Sequence, residues 1–142
     1  MTNLFDGKPV PVYGDGLQVR EMLYVEDHCA AIDRVLHDGG PGEIYNVGAE
    51  HEVANIETTR RLLALTGRDE SFVTYVTDRP GHDRRYALDC SKLRALGWSR
   101  TVSFDDGLRL TVDWFRDNRS WWEAITSGEA YVDYAARNYA RR

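Results

Sequence analysis

Read as apolar and polar positions, the chain divides into short segments whose period switches between strand-like and helix-like. "LFDGKPVPVYGDG" sets glycine and proline on both sides of Val10–Tyr13, which predicts a turn, a short extended piece and a second turn. "MLYV" is a brief apolar run. From Glu26 to His37, the residues Cys29, Ile32, Val35 and Leu36 recur at helical spacing. Asp27 adds negative charge to the first turn and "DGGPG" ends the segment, so an amphipathic helix is expected with those four side chains inward. "EIYNVG" then has apolar residues on both faces, the pattern of a strand buried between layers.

A second helix is expected to open with Asn55 as its N-cap, turn Ile56, Leu62 and Leu63 inward and stop at Gly67. "SFVTYVT" alternates and reads as a strand. A short helix over Ser91–Leu96 closes at Gly97. Ser103 and Asp106 resemble a capping box opening a longer helix with Leu108, Val112 and Phe115 on one side, and "NRSWWEAI" continues the helical character. Residues 126–142 fit either a helix with Tyr131, Tyr134 and Ala135 on one face or a frayed tail. Helices alternating with short strands define an α/β fold, with few strands and about four to five helices. A strand as short and apolar as "IYNVG" needs parallel neighbours on both sides. Either the sheet is very small, or its other strands are supplied from outside this segment.

The chain has 142 residues, 42% of them hydrophobic, which suits one soluble domain. No apolar run approaches the roughly 20 residues that span a bilayer, and "MTNLFDGKPV" lacks the regions of a signal peptide, so a cytoplasmic protein is expected. Cys29 and Cys90 have no metal-ligand spacing and read as reduced, packed thiols. A formal net charge of −5 argues against a nucleic-acid footprint. The positive charge is local. "RPGHDRRY" opens a stretch, Arg79 to Arg94, in which Arg79, Arg84, Arg85, Lys92 and Arg94 face only Asp83 and Asp89 in number. Arg84 and Arg85 are expected to pair with Asp83 or Asp89. Tyr45 and Asn46 read as sheet packing, His28, His37 and His51 as surface or helix-end residues, and Trp114, Trp121 and Trp122 as core or interface.

Three stretches taken together are more specific than any one alone: "PVYGDGLQVREMLYVEDHCAAI", "GEIYNVG" followed by "VANIE", and "DRPGHDRRYALD" followed by "LGW". In this order and spacing they resemble the C-terminal part of dTDP-glucose 4,6-dehydratases. These are nucleotide-sugar enzymes of the extended short-chain dehydrogenase/reductase superfamily, with a Rossmann-type fold. The likeness runs to about Ile125 and leaves the tail outside it. It implies that Pro11, Val12 and Tyr13 lie along the nucleotide, that Arg20 reaches the diphosphate and that Asn55 contacts the nucleotide portion. It further implies that Asp78, Arg79, Pro80, Gly81 and His82 form the outer wall of that site. Glu21 stands where the family usually has aspartate, and Met22 where it has a bulky aromatic. The physics agrees: a diphosphate carries about two negative charges, and planar guanidinium groups match phosphate oxygens with paired donors.

The resemblance also implies a tightly held NAD, a Tyr-x-x-x-Lys pair and an acidic pair for eliminating water. Here only Lys8 and Lys92 are lysines, neither follows a tyrosine at that spacing, and the glycines form no G-x-x-G-x-x-G run. No catalytic residue is therefore assigned. Residues 1–125 are expected to be the nucleotide-sugar substrate-binding portion, with 23–48 packed on the sheet of a missing or separate N-terminal NAD-binding half, and 126–142 a tail. That arrangement would leave Ile32, Val35, Ile44, Tyr45 and Val47 uncovered in the isolated chain. The implied partner is a dTDP-sugar, and the implied complete enzyme is a homodimer. The alternatives are a fragment of a UDP-sugar epimerase or decarboxylase, and a non-catalytic product of a truncated gene.

Overall fold

Proline, glycine and the short apolar runs between them yield four brief strands in the computed structural model, which describes residues 1–139. They are β1 (Val10–Tyr13), β2 (Val19–Glu21), β3 (Glu52–Ala54) and β4 (Val73–Val76). β1 and β4 pair in parallel, with Val10 opposite Val73 and Tyr13 opposite Val76. β2 and β3 pair antiparallel, with Val19 opposite Ala54 and Glu21 opposite Glu52. The helices are α1 (Thr2–Phe5), α2 (Val25–Asp38), α3 (Asn55–Leu65), α4 (Ser91–Arg94), α5 (Phe104–Asp117), α6 (Arg119–Thr126) and α7 (Glu129–Tyr139).

Several expected elements form where periodicity placed them. β1 and β4 occupy "VPVY" and the "SFVTYVT" stretch, and α4 ends before Gly97 at a positive φ of 85°. Ser103 caps α5, its Oγ accepting from the Asp106 amide at 3.1 Å, and Val112 is fully buried beneath it. The tail is helical through Tyr139, although Tyr131 and Tyr134 stay exposed. Trp122 is buried and donates its indole N–H to the Phe115 carbonyl, while Trp114 and Trp121 meet edge to face at the surface.

Three expectations need correction. "EIYNVG" forms no strand: among the described residues no strand pairs with it, and Ile44 is 82% exposed. A strand is a property of its neighbours, and none stands beside this one. Asn55 is the first residue of α3 rather than its cap; Ala54 takes the cap position, and the Asn55 amide donates to the Gln18 carbonyl at 2.9 Å. On α2, Ile32, Leu36 (76% exposed) and Cys29 face outward, whereas Ala31 and Asp27 are buried. Ala31 joins Leu93 and Trp98 in a core cluster flanked by Leu23, Val35 and Val47. One face of α2 is thus packed, and its larger apolar side chains lie on the other. Cys29 lies on that open face, so only Cys90 is a packed thiol.

Asp27 fixes the covered face. Only 4% exposed, it accepts from the Thr101 amide at 2.9 Å, the Thr101 hydroxyl at 2.7 Å and the Val102 amide at 3.0 Å. Its own carbonyl accepts from the Trp98 indole at 3.2 Å. Burial alone would raise the Asp27 carboxyl, but the Thr101 and Val102 donors outweigh it and hold the carboxyl below the usual range. A carboxyl depressed by folding contributes stability in full above its unfolded-chain pKa and loses it as pH falls through the folded value. Asp27→Ala should therefore cost about 3 kcal/mol at neutral pH by urea unfolding. The gap between variant and parent should narrow as pH drops below about 4.

Candidate functional site

The arginine loop is tied down by backbone bonds on both sides. The Gly14 amide donates to the Val76 carbonyl at 2.9 Å, which holds the end of β1 against the end of β4. The chain then returns alongside β2: the Val19 amide donates to the Arg84 carbonyl at 2.8 Å, and the Tyr86 amide to the Val19 carbonyl at 3.1 Å. β2 also pairs with β3, which runs straight into α3. Tyr13, Gln18, Arg20, Asn55 and residues 78–82 are thereby gathered at one edge. Gly16 makes the turn between β1 and β2 possible. Its φ is 72°, and a Cβ there would meet Val12 Cγ1 at 2.8 Å and Ile56 Cβ at 2.9 Å.

At this edge a line of hydrogen bonds joins distant parts of the sequence. Gln18 Nε2 donates to Asp78 Oδ2 at 2.8 Å, and Asp78 Oδ1 lies 2.6 Å from His82 Nδ1. His82 Nε2 is 3.0 Å from Arg20 Nη2. An arginine only donates and a carboxylate only accepts, so the imidazole fits with its proton on Nδ1 and Nε2 as acceptor. The His82 hydrogen bond is the chief cause holding the Asp78 carboxyl below the usual range, with burial opposing it and the Arg79 amide adding to it. The Tyr13 ring meets His82 edge-on at 6.0 Å, and Tyr13 Oη also accepts from Asn138 on α7 at 3.4 Å.

Arg20 is immobilised without being neutralised. Its guanidinium donates to the Val19 carbonyl at 2.6 Å and the Asp83 carbonyl at 3.0 Å, and lies 4.2 Å above the Tyr86 ring. The Asp83 carboxylate, which accepts from the Tyr86 phenol, pushes that phenol up, while the Arg20 and Arg79 cations pull it down. Both cations therefore lie near enough to the Tyr86 phenol to act on it. The Arg79 side chain makes no hydrogen bond or ion pair to any described residue. Arg84 and Arg85 differ: their partners are Asp15 at 3.0 Å and Glu52 at 2.5 Å, not the expected Asp83 or Asp89. The nearer carboxylates are already occupied, Asp83 by Tyr86 and Asp89 by the Ser91 amide.

The remaining expected residues are spread around this edge. Val12 is buried within the β1–β4 pair and presents almost no surface to an incoming molecule, and Pro11 faces a cavity of about 490 Å³ with Lys8, Tyr131 and Val132. Asn55 is half-buried at the start of α3, while Arg79, Pro80 and Gly81 are exposed. A groove of about 400 Å³ beside Arg20 is lined by Glu21, Gly48, Tyr86 and Leu88 among others. A Cβ on Gly48 would come within 2.4 Å of Glu21 Oε2, so the longer carboxylate at 21 occupies the space a side chain at 48 would need. Sequence reading missed Gln18 and Tyr86. Both lie inside the quoted stretches, but nothing in periodicity or charge distinguishes them.

Short strands with helices around them, and an arginine–histidine edge where strand ends meet, place the chain with Rossmann-type dehydratases and epimerases. Residues 1–111 match the family model described as GDP-mannose 4,6 dehydratase, and the chain belongs to that family. It is 43% identical over 148 residues to the dTDP-glucose 4,6-dehydratase 1 of Escherichia coli strain K12, covering 99% of this chain and 41% of that protein. Among solved structures, the Streptomyces venezuelae dTDP-glucose 4,6-dehydratase DesIV, with NAD bound, superposes with a TM-score of 0.84 at 51% identity. It covers 87% of this chain and 39% of that one. A UDP-glucose 4-epimerase of Thermotoga maritima gives 0.76 at 33% identity, covering 81% and 37%. The chain spans about two fifths of the length of the curated relatives it matches.

The geometry around Asp78 gives a direct check. Its carboxyl should titrate below an ordinary aspartate in a carbon-detected NMR titration, and His82→Gln should move that titration back up.

Proposed function

We propose that this chain is the substrate-binding portion of a dTDP-glucose 4,6-dehydratase, gripping the diphosphate of a dTDP-sugar between Arg20 and Arg79. The observation that carries this reading is the division among the arginines of the loop region. Arg84 and Arg85 have carboxylate partners, whereas Arg20 and Arg79, which both act on the Tyr86 phenol, have none among the described residues. A cation held by neutral acceptors keeps its charge for an anion, and each charge-assisted bond to phosphate contributes about 1.5–3 kcal/mol where partly desolvated.

The other residues take supporting roles in this reading. Asn55 offers its side-chain amide at the start of α3, where the helix dipole also favours an anion, while the Asn55 and Ile56 backbone N–H groups already donate to the Gln18 and Gly16 carbonyls. Tyr13, with Pro11, forms the wall for the nucleoside. The Pro80–Gly81 turn, with φ of 67° at Gly81, lets Arg79 approach from outside, and Asp78 holds His82 in place. The 51% identity to a dTDP-glucose dehydratase against 33% to a UDP-glucose epimerase favours the dehydratase.

In the complete enzyme NAD supplies the hydride acceptor and donor that turn dTDP-glucose into dTDP-4-keto-6-deoxyglucose. The residues described here do not fit that cofactor's Gly-rich strand-to-helix turn. Gly14 and Gly16 link β1 to β2, and β3 enters α3 at Ala54–Asn55 without a glycine. We assign the cofactor to a complementary portion whose sheet would cover Val25, Ile32, Leu36 and Ile44. Among the described residues no helix is long and apolar enough to cross a membrane.

Calorimetric titration of the purified chain tests this. dTDP should bind, and Arg79→Ala should weaken it by about 1–3 kcal/mol. Arg84→Ala should leave the affinity within about twofold, as expected for an exposed ion pair remote from the ligand. A folded chain that takes up no dTDP would refute the reading.

A further inference from the structure

We infer that Gln18 is a positioning residue for the anion site, fixing the His82 tautomer through Asp78 and thereby the acceptor that orients Arg20. Three observations carry this. Gln18 is 2% exposed, yet its amide makes a single side-chain contact, Nε2 to Asp78 Oδ2 at 2.8 Å. Its Oε1 is buried and has no partner among the described residues. A buried amide oxygen without a donor is unfavourable, so the side chain is not explained by its own stability. What it achieves is to occupy one oxygen of Asp78 and keep the other turned to His82 Nδ1 at 2.6 Å and the Arg79 amide at 2.8 Å.

The backbone of Gln18 is equally constrained. Its carbonyl accepts from the Asn55 amide at 2.9 Å, at the junction of β2 and α3. Gln18 therefore refers both Asn55 and Asp78 to one rigid point. The amide orientation is determined as well, because a flipped amide would set Oε1 against the Asp78 carboxylate. The donations converge on Asp78, from Gln18 Nε2 to one oxygen and from His82 Nδ1 to the other. His82 Nε2 is left as a lone-pair acceptor 3.0 Å from Arg20 Nη2. Were the proton on Nε2, two donors would face each other and Arg20 would swing away. The control of proton position is independent of any ligand. Its consequence for affinity rests on the diphosphate reading above.

The test separates the two. Nitrogen-15 NMR of the imidazole rings, with His82 assigned through His82→Gln, should show the Nδ1–H tautomer in the parent chain without ligand. In Gln18→Leu the His82 signals should shift toward a mixture containing Nε2–H, while dTDP affinity falls about tenfold. Gln18→Glu, closest in shape, should repel Asp78 and give the same displacement, which covers the case in which the leucine variant does not fold. A folded variant that keeps the Nδ1–H tautomer overturns the inference. If the tautomer shifts but the parent chain binds no dTDP, the positioning role stands and the diphosphate reading fails.

Discussion

A run of four side chains, Gln18, Asp78, His82 and Arg20, holds the candidate site in one shape. The contacts are 2.8, 2.6 and 3.0 Å; the outer two join residues 60 and 62 apart in sequence, and the middle one residues 4 apart. Loops that carry several like charges tend to spread in water. This one does not, because every charged side chain in it except Arg79 has a designated neighbour. Asp78 is satisfied by Gln18, His82 and the Arg79 amide, and Asp83 by Tyr86. Arg84 and Arg85 are neutralised by Asp15 and Glu52. The residual positive charge is confined to Arg20 and Arg79, where only carbonyls, an imidazole lone pair and an aromatic face surround Arg20.

The same economy of contacts explains why the loop stays attached. Backbone bonds from Val19 to Arg84 and from Tyr86 to Val19 make the loop's return arm a partner of β2. A substitution that broke the side-chain run would therefore loosen the tip around Pro80 and Gly81 before it released the arm. Position and charge are controlled separately, by backbone and by side chains.

Elsewhere the molecule is asymmetric in its covering. Asp27, Trp98 and Thr101 bind one side of α2 to the 98–102 segment. The opposite side carries Val25, Ile32 and Leu36, and next to it the 43–48 segment presents Ile44 to solvent. Several side chains of this size, each worth about 1.5–3 kcal/mol when buried, make a surface suited to packing against a sheet. The "EIYNVG" segment has apolar residues on both faces, as a buried strand does, without a ladder to join.

Local chemistry alone determined much of this protein. Helical spacing located α2, α3 and α5, alternation located β4, and proline with glycine bounded β1, because these signals act within a few residues. The composition of "RPGHDRRY" announced a loop with an anion in view, and the three quoted stretches identified the family. Tertiary structure decided which arginines remain unpaired, since Asp15 and Glu52 reach Arg84 and Arg85 across 69 and 33 residues of sequence. It likewise decided that Gln18 belongs to the site, that Asn55 starts rather than caps its helix, and that the apolar stripe of α2 points outward. Pairing, burial and the sign of a local field depend on what is brought alongside in space, and no window along the chain contains that information.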